Sequence, residues 1–199
     1  MFINKKECTM ENQEIILASA SPRRRDLLGY IEENFRCIPA DIDETIPENI
    51  SAEDSAEYLA GIKASFIAES HPESVVIGCD TVVVYNGKVY GKPADETDAH
   101  RMLTELSGNI HKVITGVCIC CGERKTSFSD VTEVEFFELS DKEIADYIKT
   151  GSSMDKAGAY GIQDGALLPA RRIDGDYFNV VGLPVGRLKR ELQKFFEIK

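Results

Sequence analysis

Positive charge is in short supply in this 199-residue chain: 23 Lys and Arg stand against 34 Asp and Glu, a formal net charge of −11. Neutralising the phosphates of a nucleic acid needs a basic face, so the balance argues against general nucleic-acid binding. No apolar stretch approaches a membrane span, and residues 1–14 hold no apolar core of a signal peptide. Histidine is also sparse. His71, His100 and His111 share no metal-ligand spacing, and no Ser-His-Asp arrangement emerges. The six cysteines lie at 8, 37, 79, 118, 120 and 121, and Cys118-Ile119-Cys120-Cys121 lacks a second Cys/His pair at zinc spacing. Buried, reduced thiols in a cytoplasmic protein are therefore expected. Linkers, repeats and low-complexity tracts are absent too. Residues 1–14 read as a polar N-terminal extension and 15–199 as a single domain, large enough for a substantial core.

What is present is an alternation of strand and helix signals, which argues for an α/β fold. The apolar run Ile15-Ile16-Leu17-Ala18 reads as a strand and leads directly into Ser19-Ala20-Ser21-Pro22-Arg23-Arg24-Arg25. Ser21 suits an N-cap and Pro22 the first helical position, so the spacing predicts a helix over about 22–28. Three arginines then fall in its first turn, where the macrodipole disfavours cations. An anion that outweighs the repulsion, such as a polyphosphate held by free N–H groups and guanidinium forks, accounts for them; pairing with surface acids is the plainer alternative. Farther on, Ser51-Ala52-Glu53-Asp54 has the form of a capping box opening a helix to about Glu69. Residues 74–85 read as a long strand, and Asn86-Gly87 as a hairpin turn into Lys88-Val89-Tyr90. A helix ending at Ser107-Gly108, strands near 111–121 and 125–138, and a capping box at Ser140 and Glu143 follow. Arg171–Ile173 and Tyr177–Val181 suggest a further hairpin about Asp174-Gly175, before a closing amphipathic helix from Val185 to Phe195.

Asp80 is the strongest candidate for chemistry, because it interrupts a strand that otherwise reads as buried. A buried carboxylate is costly unless paired, protonated or metal-bound, and such groups cluster at active sites. Gly78 beside it allows a close backbone approach. Lys92, in Gly91-Lys92-Pro93, does not belong to a P-loop, since neither the preceding glycine nor the following Ser or Thr is there. Taken alone, Lys92 and Lys63 read as surface lysines. Glu44 and Asp43 lie in an acidic loop and could hold a divalent ion. In Asp155–Gln163 the glycines permit backbone approach to a flat ligand, Tyr160 offers a ring, and the Gln163 amide can read a base edge.

Taken together these segments resemble the Maf family of nucleoside triphosphate pyrophosphatases, in one order from about Ile15 to Leu192. The matching blocks are Leu17-Ala18-Ser19-x-Ser21-Pro22-Arg23-Arg24, the Asp41–Glu44 loop, Lys63-Ala64, Ile77-Gly78-x-Asp80-Thr81, Gly91-Lys92-Pro93, Leu106-Ser107-Gly108-x-x-His111, Thr115-Gly116-Val117, the Asp155–Gln163 block and Gly182-Leu183-Pro184. The resemblance implies an extended mixed β-sheet flanked by helices, in two lobes about a central cleft, as in inosine triphosphate pyrophosphatases. It implies hydrolysis of a nucleoside triphosphate to the monophosphate and pyrophosphate with a divalent cation, Mg2+ or Mn2+. Arg23, Arg24 and Gln163 match the dTTP/UTP branch rather than the 7-methyl-GTP branch. On this resemblance Asp80 is the general base, Glu44 and Asp80 the metal ligands, and Ser19, Arg23, Arg24, Glu44, Lys63, Thr81, Lys92 and Gln163 the substrate contacts. Arg23, Thr81 and Gln163 shape base selection. It also implies a possible homodimer, and roles in nucleotide-pool sanitation and cell-division arrest. The alternatives are a nucleotide-binding regulator of septum formation without significant turnover, or a Maf-like pyrophosphatase of other base specificity such as 7-methyl-GTP. Asp164, where a glycine often follows the glutamine, and Cys79, beside the aspartate in place of a common alanine, depart from the family pattern. Asp164 is expected to narrow the base pocket and Cys79 to serve packing.

Overall fold

The computed structural model describes residues 13–197, so all of the expected extension except Gln13 and Glu14 lies outside the described residues. Strand β1 (Ile15–Leu17), helix α1 (Pro22–Leu28) and strand β2 (Phe35–Cys37) open the fold. Helix α2 (Ser55–Ser70), strands β3 (Val75–Tyr85) and β4 (Lys88–Tyr90), helix α3 (Glu96–Leu106) and the long hairpin of β5 (Ile110–Cys121) with β6 (Arg124–Phe136) follow. Helix α4 (Asp141–Ile148), strand β7 (Ala170–Asp174), and helices α5 (Tyr177–Val181) and α6 (Val185–Glu197) complete it. The strands form one mixed sheet in the order β2-β1-β3-β5-β6-β7, with β4 paired to the far end of β3. β1 runs parallel to β2 and β3, whereas β3, β5, β6 and β7 are successively antiparallel. This is the mixed α/β architecture expected from the sequence.

Local signals acted largely where they stood. Ser21 caps α1 by accepting from Arg24 N at 3.4 Å, with Pro22 in its first turn. Asn86 and Gly87, with φ of 49° and 72°, make the left-handed pair that a tight hairpin needs. Ser140 and Glu143 form a reciprocal capping box. Two expectations are corrected. The Ser51–Asp54 pattern closes an isolated turn, in which Ser51 Oγ accepts from Asp54 N at 3.1 Å and donates to the Asp54 carboxylate at 2.7 Å. With the carboxylate on the hydroxyl instead of the Ser51 N–H, the box is half formed, and α2 starts only at Ser55. The second hairpin does not form either. Asp176 accepts from Phe178 N and caps a helix over 177–181, while buried Asn179 donates to Val113 O and Thr132 Oγ1. That pair of anchors outweighs the β-propensity of Val180 and Val181.

Core packing divides at the sheet's middle. β1, α1 and α6 bury Leu17, Leu28, Leu188 and Phe195 against one half of the sheet, and α3 and α4 bury Leu103, Leu106, Ile144 and Tyr147 near β4 and the other half. Cys79, Cys118 and Cys120 are free thiols buried in packed surroundings. Helix α2 lies unusually close to the sheet. A Cβ on Gly78 would sit 2.3 Å from Ala60 O, and one on Gly116 2.3 Å from the Ala56 backbone. His111 is buried with edge-on contacts to Phe136 and Tyr160, and its Nε2 lies 2.8 Å from the Tyr160 hydroxyl.

Two predictions follow from this packing. Gly116→Ala must push α2 off its seat, because backbone, not a flexible side chain, blocks the new methyl. Urea unfolding should show a loss of about 3 kcal/mol. A loss under a few tenths would mean that α2 is not held there. Burial also pushes the His111 imidazole down to about 4. Its stability contribution is full above the ordinary histidine value, about 6.5, and is lost as the pH falls toward 4, because only the unfolded chain takes up the proton. Between pH 7 and 4.5 that loss is roughly 2–3 kcal/mol. His111→Gln should remove this part of the acid sensitivity, read as a smaller drop in unfolding free energy across the same interval.

Candidate active site

One edge of β3 is incompletely paired. β1 covers it as far as Ile77 and β4 resumes at Val83, leaving Gly78–Val82 without a strand on that side. A cleft of about 550 Å³ opens at this gap, between the two halves of the core. Its walls bring together all nine residues singled out from the sequence: Ser19, Arg23, Arg24, Glu44, Lys63, Asp80, Thr81, Lys92 and Gln163.

Asp80 and Lys63 form the floor. Asp80 pairs with Gly116 across the β3–β5 ladder, and α2, seated on the two glycines, carries Lys63 over it. Lys63 Nζ lies 2.5 Å from Asp80 Oδ1 and 2.9 Å from Glu44 Oε1. Asp80 and Lys63 side chains are only 11% and 10% exposed, whereas Glu44 is half-exposed. Burial, the largest influence on Lys63, works against its charge, but Asp80 and Glu44 outweigh it and hold the ammonium above the usual lysine range. Among the described residues no three His, Cys, Asp or Glu side chains gather as metal ligands. Two carboxylates converging on one cation site suit a hard divalent ion that keeps waters and takes substrate oxygens, not an all-protein cage.

The three arginines of α1 part company. Arg24 turns inward: Nη1 donates to Cys79 O at 3.0 Å, Nη2 to Thr81 Oγ1 at 2.9 Å, and Nε to Gly182 O at 3.0 Å. Its guanidinium thus fills part of the gap left by the missing strand. Arg23 crosses the cleft to Asp155 Oδ2 at 2.8 Å. Arg25 points away toward Asp26 and plays no part in the cleft. Ser19 Oγ accepts from Ser21 N at 3.2 Å and lies 3.5 Å from Arg24 Nη1. Thr81 Oγ1 lies 2.9 Å from Thr115 Oγ1, which donates its own proton to Asn179 O. Thr81 must therefore donate to Thr115, and with Arg24 on one lone pair it retains only acceptor capacity toward a ligand.

The opposite wall comes from the segment after β4 and the loop after α4. Gly158 N donates to Gly91 O at 3.0 Å, tying the two together. Lys92 is exposed and pairs with no carboxylate among the described residues, and Gln163 is exposed at the rim. Tyr160 differs from expectation. Its ring is 5% exposed and packs edge-on against Phe136, so it belongs to the core more than to a ligand surface. Sequence reasoning missed individual roles for Asp155, Lys156, Thr115 and Asn179. Lys156 lines the cleft and pairs with Asp155 Oδ1 at 2.8 Å. Burial raises the Asp155 carboxyl, but Lys156 and Arg23 outweigh it and hold the group below its ordinary range. The signal available was the run of charge in Asp155-Lys156; nothing in the sequence marks Thr115 or Asn179 as partners.

Known proteins resemble this chain in fold or in sequence. The solved structure of the Staphylococcus aureus Ham1 protein superposes with a TM-score of 0.53, at 14% identity, over 92% of this chain and 99% of that one. A dTTP/UTP pyrophosphatase of a Geobacillus species is 50% identical over 182 residues, 92% of this chain and 98% of its own. Another dTTP/UTP pyrophosphatase, from Cytophaga hutchinsonii, is 44% identical over 197 residues, 98% of this chain and 88% of its own. The family model described as Maf-like protein matches residues 14–195, nearly all that the structure describes. By that match and these identities, the chain belongs to the Maf-like protein family.

Proposed function

We propose that this protein hydrolyses nucleoside triphosphates, chiefly dTTP, UTP and modified pyrimidine triphosphates, to the monophosphate and pyrophosphate. The observation that carries the reading is a buried carboxylate, Asp80, at the floor of a cleft whose walls hold Arg23, Arg24, Lys63, Lys92 and Lys156. Relatives of up to 50% identity named dTTP/UTP pyrophosphatase support the nucleotide assignment. Water attacks the α-phosphorus, the bond to the α–β bridging oxygen breaks, and pyrophosphate leaves with that oxygen. Asp80 accepts the proton that the water loses. Lys63, held between Asp80 and Glu44, fixes the base in place and balances charge on the phosphoryl oxygens. Lys92, Arg23 and Lys156 take the outer phosphates, while Arg24 holds Thr81 in place and Ser19 adds a hydrogen bond. Thr81 and Gln163 read the base. Asp80 and Glu44 would hold a divalent cation, Mg2+ or Mn2+, which supplies neutralisation of phosphate charge and acidifies bound water. Free thiols at Cys37, Cys79, Cys118 and Cys120 suit a reducing cytoplasm. The reaction would remove unwanted triphosphates from the nucleotide pool.

Pyrophosphate release from a panel of triphosphates, with Mg2+ or Mn2+, tests the reading. Asp80→Asn should lower kcat by about 10²–10⁴-fold, the usual worth of a general base, while nucleotide binding persists. Near-normal turnover in that variant would remove Asp80 from the base role. Gln163→Glu should compress the preference for dTTP and UTP over other bases more than it lowers the best rate. A nucleotide profile identical to the parent's would take Gln163 out of base selection. A folded protein that binds nucleotide but releases no pyrophosphate would favour the septum-formation regulator.

A further inference from the structure

The segment that carries Gln163 is a four-residue turn, Gly161-Ile162-Gln163-Asp164, closed by Asp164 N donating to Gly161 O at 3.0 Å. One hydroxyl outside the turn fastens both of its ends. Tyr147 Oη accepts from Gly161 N at 3.3 Å and donates to Asp164 Oδ2 at 3.0 Å. Tyr147 projects from α4 and is 1% exposed, so its ring is fixed by packing. Burial, reinforced by Asp164, pushes its hydroxyl well above the ordinary tyrosine range, so it keeps the proton it donates. On the other side Lys156 Nζ stands 3.7 Å from Asp164 Oδ2 and also bonds Asp155 and Ser152 O. The expectation that Asp164 narrows the pocket gives way here: its carboxylate engages Tyr147 and Lys156.

We propose that Tyr147 and Asp164 are positioning residues for base selection, clamping the two ends of the turn so that Gln163 meets the base in one fixed orientation. The inference rests on the reading of Gln163 given above and deepens it. An exposed glutamine loses side-chain freedom on engaging a base, and a turn loose at both ends would add backbone freedom to that cost. Pinning the backbone beforehand lets the amide discriminate between base edges.

The test is Tyr147→Phe, which keeps the buried ring and deletes both bonds. We expect faster amide hydrogen exchange across 161–164 and about a tenfold fall in the kcat/KM ratio of UTP over CTP, the scale of one or two lost hydrogen bonds. KM for UTP should carry more of the change than kcat. In a Gln163→Ala background the same substitution should cost no further selectivity. Unchanged selectivity in folded Tyr147→Phe, or an equal loss without Gln163, overturns the proposal. Asp164→Asn, which keeps an acceptor, should retain most of the selectivity that Asp164→Ala loses, and this pair decides the matter if Tyr147→Phe does not fold. Equal selectivity in the two Asp164 variants counts against the clamp. If the parent protein hydrolyses no triphosphate, the functional reading fails by itself. The clamp then stands or falls on whether Tyr147→Phe accelerates exchange at 161–164.

Discussion

The close seat of α2 on the sheet is the constraint from which the site follows. At Gly78 and Gly116 there is no room for even a methyl group between strand and helix. The inner face of α2 matches this with Ala56, Ala60 and Ala64, all fully buried. At that separation Lys63 reaches Asp80 directly, and both charges lie out of water. Such a pair is a poor source of stability, since desolvation consumes most of the attraction, and losing one partner strands the other. Its value is positional. A carboxylate buried at the bottom of a cleft needs a counter-charge whose location is set by backbone packing, because a flexible surface lysine would drift.

The second constraint is the break in sheet pairing. Continuous pairing along β3 would place another strand over Gly78–Val82 and leave no cleft. Because β1 stops at Leu17 and β4 is short, carbonyls on that edge need other partners. Arg24 supplies one by donating to Cys79 O, and it joins this edge to Gly182 and Thr81 at the same time. Across the cleft itself, Arg23 reaches from α1 to Asp155 on the opposite wall.

The sequence made the floor of the site legible, because a carboxylate in an apolar β-branched run with a glycine two residues away has few innocent explanations. Local grammar also sufficed for α1, the Asn86-Gly87 hairpin and the Ser140 cap, where each signal is closed within four residues. It failed where a distant partner decided the outcome. Val180 and Val181 favour a strand, but Asn179 finds Val113 and Thr132, which no local pattern reveals. Tyr160 looked like a ligand platform because its neighbours are small, yet His111 and Phe136 draw the ring inward. By spacing alone the arginines of the triplet are indistinguishable for the same reason: their helix is common, and their partners on other segments separate them. Family likeness supplied what spacing could not, namely that Lys63 and Lys92 converge on one cleft.

Charge in the cleft is organised around exchange of partners. Three acidic side chains, Glu44, Asp80 and Asp155, face five basic ones, Arg23, Arg24, Lys63, Lys92 and Lys156. In a chain of net charge −11 this local excess is what makes the cleft attractive to a polyanion at all. Glu44 and Asp155, each more than half exposed, hold Lys63 and Arg23. A triphosphate entering the cleft competes with those two carboxylates more than with Asp80, which is buried and backed by α2. The outer pairs can therefore open to receive phosphate oxygens while the inner pair persists, so Asp80 keeps its place as the substrate's charge arrives.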